Sequence, residues 1–280
     1  MRILVTGVNG QLGQALLASL DGNEVSGIDL PEVDITQYEA ISKAVSSARA
    51  EVVIHCAAYT DVDGCARDPQ LAYRVNALGT HNVALACLEA SANMVHVSTN
   101  EVFDGSQPGG YEEWMSLQPR NAYGRSKAAA EQIVRQLLTR AYIVRTAWAY
   151  APAGRNFVHA ILKIARERDE IRVVTDEIGN PTYMRDVARA IAKLIRTEHY
   201  GTYHFVNEGS CSRWTFANEI LRLAGLDHVK NTPILSNEFR RLSTPPPYGA
   251  LHNNAGSAIG IRLRPWQEAL SEFITEEVTS

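Results

Sequence analysis

In the stretch AYGRSKAAAEQ, residues 122–132, a phenol, Tyr123, stands four residues before an ammonium, Lys127. On a helix that spacing is one turn, so both side chains point to the same side. A phenol ionises near ~10 in water, and a neighbouring cation stabilises the phenolate and lowers that value. Such a tyrosine can pass a proton to a ketone oxygen while a hydride arrives at carbon. The same spacing also occurs on ordinary solvated helix faces, so its meaning depends on its surroundings. One neighbour supports the chemistry. Thr99 follows the apolar run MVHVS (94–98), and open α/β sheets bind their ligands at the carboxyl ends of strands. A hydroxyl there can bond the same carbonyl oxygen.

A second constellation lies at the start of the chain. TGVNGQLG places Gly7, Gly10 and Gly13 between an apolar β-branched run and a helical pattern. In that context Gly7 permits a tight turn, Gly10 lets the backbone approach a pyrophosphate, and Gly13 lets helix pack closely on strand. The helix start offers free N–H groups and a positive dipole end to an anion. Asp29 follows Gly7 by 22 residues. An acid there can accept from an adenosine ribose 2′-OH and repels a 2′-phosphate, which favours NAD over NADP. DLPEVD is also rich in turn residues, so Asp29 has a plain turn reading as well. Asp34 and Ile35 are placed to flank an adenine.

These residues need a scaffold. Strand patterns at 2–6, 24–29, 51–58, 94–98 and 141–148 alternate with helix patterns at 11–20, 35–48, 68–90 and 121–138. That rhythm predicts a Rossmann-like, doubly wound parallel sheet covered on both faces. Thr36 and Glu39 suggest a capping box, and Pro69 suits a first helical turn. Beyond residue 150 the rhythm changes. Helices are expected at 156–168, 188–196 and 214–225, short strands at 171–174 and 203–207, and a loop at STPPPYGALHNNAGSAIG (243–260). The expected division is a cofactor-binding domain over 1–150 and a smaller substrate lobe over 151–280, with helix and strand from about 185–207 returning to the main sheet. IGNPTY (178–183) has both a plain turn reading and a place near the substrate. Glu112-Glu113 and Arg166-Glu167-Arg168 are expected on solvated faces.

Composition narrows the partners. Of 280 residues, Lys and Arg number 27 and Asp and Glu 31, for a net charge of −4. No basic excess or stripe suggests nucleic acid. No apolar run is long enough to span a membrane, and MRILVTG lacks the features of a leader. Cys56, Cys65, Cys87 and Cys211 form no CxxC, and no His pair sits at metal spacing, so no metal is expected. Reduced thiols in a cytoplasmic protein are the expectation.

The combination resembles an extended short-chain dehydrogenase/reductase and, more narrowly, the dTDP-4-dehydrorhamnose reductase family. The stretches that carry the likeness are MRILVTGVNGQLGQAL, HCAAYTDVDGCARDPQLAYRVNALGTHNVA, VHVSTNEVFDG, YGRSKAAAEQ, VRTAWAYAPAGRNFVHAILKIARERDEIRVV, IGNPTYMRDVA and LRPWQEAL. The resemblance implies an enzyme of dTDP-rhamnose biosynthesis that reduces the C4 ketone of a dTDP-bound 6-deoxy sugar with NADPH or NADH, and it is compatible with a homodimer. It implies Tyr123 as proton donor, Lys127 as its tuner and ribose ligand, and Thr99 as hydroxyl partner. Gly10, Gln11 and Leu12 would hold the pyrophosphate, and Ala57, Ala58 and Tyr59 would line the cofactor. On the sugar side stand Thr99, Asn100, Glu101, Trp148, which as readily suits a core, and Asn156. Two departures fall on that side. The family's STDYVFDG is here STNEVFDG, and its Arg-Arg-Pro run falls on Thr244-Pro245-Pro246, with Arg240 and Arg241 a few residues earlier.

Two other classes stay open. A sugar-nucleotide epimerase or dehydratase would use an acid such as Glu101, two residues after Thr99. A cofactor-binding regulatory subunit would need no turnover.

Overall fold

The computed structural model describes residues 1–279. The chain runs β1 (Arg2–Thr6), α1 (Gln11–Leu17), β2 (Glu24–Ile28), α2 (Tyr38–Ser47), β3 (Val52–His55), α3 (Val62–Arg67), α4 (Pro69–Tyr73), α5 (Gly79–Glu89), β4 (Asn93–Thr99), α6 (Ala122–Leu137) and β5 (Ala141–Thr146). It continues through β6 (Ala149–Tyr150), α7 (Phe157–Glu167), β7 (Glu170–Val174), β8 (Ile178–Gly179), β9 (Thr182–Tyr183), α8 (Met184–Leu194), β10 (Gly201–His204), β11 (Cys211–Ser212), α9 (Arg213–Leu223), β12 (Lys230–Ile234), α10 (Asn254–Ala258) and α11 (Trp266–Thr279).

Six parallel strands form one sheet in the order β10-β5-β4-β3-β1-β2. From β1 the chain goes outward to β2, then returns to the other side of β1 for β3. This reversal opens a crevice between the carboxyl ends of β1 and β3. Register aligns those ends: Thr6 pairs with both Ile28 and His55, His55 with His96, and Thr99 with Thr146. The strands hold because their aliphatic side chains leave water on both faces. Val5, Val53 and Ile54 are fully buried, each worth about 1.5–3 kcal/mol. The doubly wound parallel sheet expected from the sequence is the observed fold.

β2 departs from the expected pattern. Three of its five residues are exposed, because it is the edge strand of the sheet. The helix expected over 68–90 is three segments, since a π-turn over Arg74–Leu78 separates α4 from α5. The capping box at Thr36 does not form. α2 starts after Gln37, and the Thr36 N–H donates to Asp34 in a turn. α8 begins four residues before the expected start, and β10 ends at His204. β10 pairs in parallel with β5, and α8 packs on α1.

A second apolar cluster gathers Tyr150, Val158, Phe216, Trp266 and Phe273 from α7, α9, α11 and the intervening strands. Its two-residue strands and β12 escaped the sequence patterns, because such short pieces carry no periodicity. Arg264 and Arg185 tie α11 to α8 through Asp186, Glu272 and Glu276. No described helix is long and apolar enough to cross a membrane. All four cysteines are free thiols.

Candidate active site

The turn after β1 exists because two of its glycines have no room for a side chain. Gly7 has φ +69°, and a Cβ there would lie 2.6 Å from the Ala57 backbone nitrogen. At Gly13 a Cβ would lie 2.4 Å from the Gly7 carbonyl oxygen. Gly10 stands at the N-cap of α1 with no side-chain cap, which leaves the first-turn N–H groups to a ligand. Asp29 closes this turn from β2. Its two oxygens accept the Asn9 and Leu30 N–H groups, each at 2.9 Å. Its carboxylate thus anchors the turn while it borders the site.

One cavity of about 930 Å³ joins the two constellations. Gly7, Gly10, Gln11, Leu12 and Gly13 line one wall, and Asp29, Asp34 and Ile35 one end. Ala57, Ala58 and Tyr59 line the end of β3, and Thr99, Tyr123, Lys127 and Trp148 the opposite wall. The volume suits a cofactor-sized ligand. Two lining atoms, Gln11 Oε1 and Thr146 Oγ1, are buried without a protein partner, which suits a polar guest. The glycine cradle, the cavity and these unpaired atoms together fit a dinucleotide.

Three expected sugar-side residues do not line the cavity. Asn156 caps α7: its Oδ1 accepts the His159 N–H, and its Nδ2 donates to the Ala151 carbonyl. Both ends of the amide are committed to the backbone. Asn100 is buried, and its Nδ2 donates to the Gly249 carbonyl at 3.0 Å. Glu101 accepts from Asn121 Nδ2. Burial raises the Glu101 carboxyl, although Asn121, Arg213 and Arg241 oppose the shift. Glu113, expected on a solvated face, is buried, accepting the Ala255 N–H at 2.9 Å and tying the 112–115 segment to α10.

α6 carries the acid-base pair, and Asn121 caps that helix through the Gly124 N–H. Tyr123 is held well above the ordinary phenol value by burial first and by the charge of Glu101 next, against a hydrogen bond with Thr99. The phenol therefore keeps its proton through the neutral range, the charge state a donor needs. Lys127, one turn further along α6, is buried as well. Its Nζ donates to the Val97 carbonyl at 2.7 Å and lies 3.4 Å from His96 Nε2. Burial lowers the ammonium to about 8.

Behind this wall Glu131 accepts from Ser98 Oγ at 2.6 Å and from Arg145 at 2.8 and 2.9 Å. The ion pair fixes α6 against β4 and β5.

Trp148 stands at φ +41°, a rare conformation for so large a residue, of a kind concentrated at functional sites. Arg213, at the start of α9, lies 3.7 Å above its ring centroid. Arg241 pairs with Glu177, which Arg213 also meets at 3.9 Å. Sequence reasoning missed Arg213 and His96. Each sits in an ordinary helix or strand pattern, and only the fold brings it to the site.

The comparisons agree with this geometry. The family model described as RmlD substrate binding domain matches residues 1–279. The spore coat polysaccharide biosynthesis protein SpsK of Bacillus subtilis is 37% identical, over 98% of this chain and 97% of that protein. The dTDP-4-dehydrorhamnose reductase of Mycobacterium tuberculosis is 35% identical, over 100% of this chain and 94% of that protein. The solved dTDP-4-dehydrorhamnose reductase from Bacillus anthracis in complex with NADP is 40% identical, covering 98% of this chain and 99% of that one, with a TM-score of 0.96.

Proposed function

Because the chain belongs to the RmlD substrate binding domain family, we propose that it reduces the C4 ketone of dTDP-4-dehydrorhamnose, forming dTDP-rhamnose with NADPH or NADH. The observation that carries this reading is the single cavity bordered by the glycine turn, Thr99, Tyr123 and Lys127. The likeness to a reductase solved with NADP gives NADPH the greater weight. Asp29 borders the cavity, and its carboxylate keeps lone pairs for a ribose hydroxyl, which keeps NADH in the reading.

A bound nicotinamide supplies the hydride. Tyr123 then gives its proton to the C4 oxygen, which Thr99 hydrogen-bonds. Lys127 holds the ribose hydroxyls and offers its charge to the phenolate left behind. Gly10, Gln11 and Leu12 take the pyrophosphate, and Trp148 packs on the sugar. In this reading residues 1–150 carry the cofactor and 151–280 mainly the substrate. Free thiols and a nucleotide-linked substrate support a cytoplasmic location for it.

The test is oxidation of NADPH and of NADH at 340 nm with dTDP-4-keto-6-deoxy sugars, the 4-dehydrorhamnose form among them. Turnover with that form supports the reading. Cofactor binding without turnover of any keto sugar would overturn it in favour of a regulatory subunit. Tyr123→Phe should lower kcat about 10²–10⁴-fold, the usual worth of a positioned proton donor, and leave cofactor affinity intact.

A further inference from the structure

Two histidines lie side by side beneath Lys127, and neither has a part in the reaction above. His55 on β3 and His96 on β4 are fully buried, with ring centroids 5.6 Å apart. The partners of His55 assign its tautomer. Thr80 Oγ1 donates to the Asn76 carbonyl at 2.6 Å, so it accepts from His55 Nε2 at 3.1 Å. The other nitrogen, Nδ1, then accepts from Thr6 Oγ1 at 2.7 Å. His55 is a neutral ring with both nitrogens satisfied.

His96 differs. Its Nε2 faces the ammonium of Lys127 at 3.4 Å, so that nitrogen must carry the lone pair and Nδ1 the proton. Nδ1 is buried and has no partner. A buried unsatisfied N–H destabilises the fold. An aliphatic residue in the same place would avoid that cost. What the histidine gains for it is the contact with Lys127.

We propose that His96 is a positioning residue for Lys127, its Nε2 accepting a hydrogen bond from the ammonium so that, with the Val97 carbonyl, it keeps the cation charged and aimed at the cavity. The proposal rests on the reductase reading for its catalytic meaning, but the contact can be tested without turnover. The titratable groups around Lys127 come from three elements. From the β3 end come His55 and Cys56, from β4 His96, and from α6 itself Tyr123 and Glu131, with Arg135 acting on His96. Burial and then the charge of Lys127 lower His55 to about 3 and hold His96 well below its ordinary value, so both rings stay neutral. Burial raises Cys56 to about 12, so it too is uncharged. Of these groups, Lys127 is the one that titrates in the working range.

The chain has five lysines, and Lys43, Lys163, Lys193 and Lys230 are exposed while Lys127 is buried. Lysine-labelled protein followed by NMR against pH therefore separates the buried Lys127, expected near about 8, from the four exposed lysines. In His96→Leu the ammonium loses an acceptor in a dry site. Its midpoint should fall by about one pH unit, and the basic limb of the kcat profile should fall with it. His96→Gln, which retains an acceptor, should restore both. Should the leucine variant not fold, His96→Asn, whose shorter amide stops short of Nζ, carries the same measurement. An unchanged Lys127 midpoint in the folded variant overturns the proposal. Absence of turnover in the wild type overturns the reductase reading instead and leaves the NMR result standing.

Discussion

The two walls of the cavity are built differently. The cofactor wall is mainly backbone: a glycine turn, the end of β3 and the opening of α1 come within reach because neighbouring parallel strands end in register. The opposite wall, where the sugar is proposed to sit and which is called the sugar wall below, is backed by side chains far apart in the chain. Asn100 reaches Gly249, Asp63 holds Ser243 at 2.9 and 2.5 Å, and Arg241 pairs with Glu177. A backbone wall tolerates changes to most side chains and fails when a glycine gains one. A side-chain wall can change its ligand one residue at a time. The departures from the family pattern, Asn100, Glu101 and Thr244-Pro245-Pro246, all fall in this side-chain layer, behind the residues that line the cavity.

The largest effect should come from the support behind α6, the helix that carries Tyr123 and Lys127. Glu131→Gln removes the charge that balances Arg145, and breaking a buried pair costs about 3–5 kcal/mol. Urea unfolding should show that loss, and an undiminished midpoint would mean the pair is dispensable. The same group gives a pH dependence. Burial works to raise the Glu131 carboxyl, but the hydrogen bonds and charge of Arg145, with Ser98, outweigh it and hold it below its ordinary value. A lowered folded-state value contributes stability above the unfolded pKa of ~4.3 that is lost as pH falls through the folded one. Wild-type stability should therefore drop below about pH 4 more steeply than that of Glu131→Gln.

Gly13→Ala tests the backbone wall itself. The new Cβ would sit within 2.4 to 2.7 Å of the Gly7 and Val8 backbone, so the turn must move. NADPH affinity should fall about 100-fold, since misplacement by an ångström has such consequences. Fluorescence titration of NADPH reads it, and near-normal affinity would show that the turn is not the pyrophosphate cradle.

This contrast also explains what the sequence made legible. The parallel sheet showed because β1, β3 and β4 are continuous apolar runs, and the cofactor turn showed because glycine spacing is local. Tyr123, Lys127 and Thr99 lie within one β-α unit, so their proximity followed from the topology. Asn156 misled because an N-cap and a ligand contact ask for the same side chain. Glu113 misled because burial of a carboxylate depends on a helix some 140 residues later, whose Ala255 N–H it accepts. His96 and Arg213 were invisible since each matters only through a partner on another element.

On the sugar wall the effects should be smaller and should spare the cofactor. Arg213→Gln removes the cation above Trp148, and a desolvated contact of this kind is worth about 2 kcal/mol at most. The KM for the dTDP-sugar should rise about tenfold with NADPH affinity unchanged. A parallel loss of NADPH affinity would mean that the two walls are one.

Asn100→Asp is the finest probe, because it restores the carboxylate found in the family pattern. In this chain the Asn100 Nδ2 donates to the Gly249 carbonyl, while its Oδ1 accepts from Thr99 Oγ1 at 3.3 Å. A carboxylate keeps the second contact and loses the first, setting two acceptors 3.0 Å apart. The loop around Gly249 should then lose one hydrogen bond, about 1 kcal/mol, or about fivefold in sugar KM. NADPH affinity should not move. If KM falls instead, the carboxylate has found the sugar, and Asn100 marks a chain adapted to a different substituent on the hexose rather than a loop anchored by its amide.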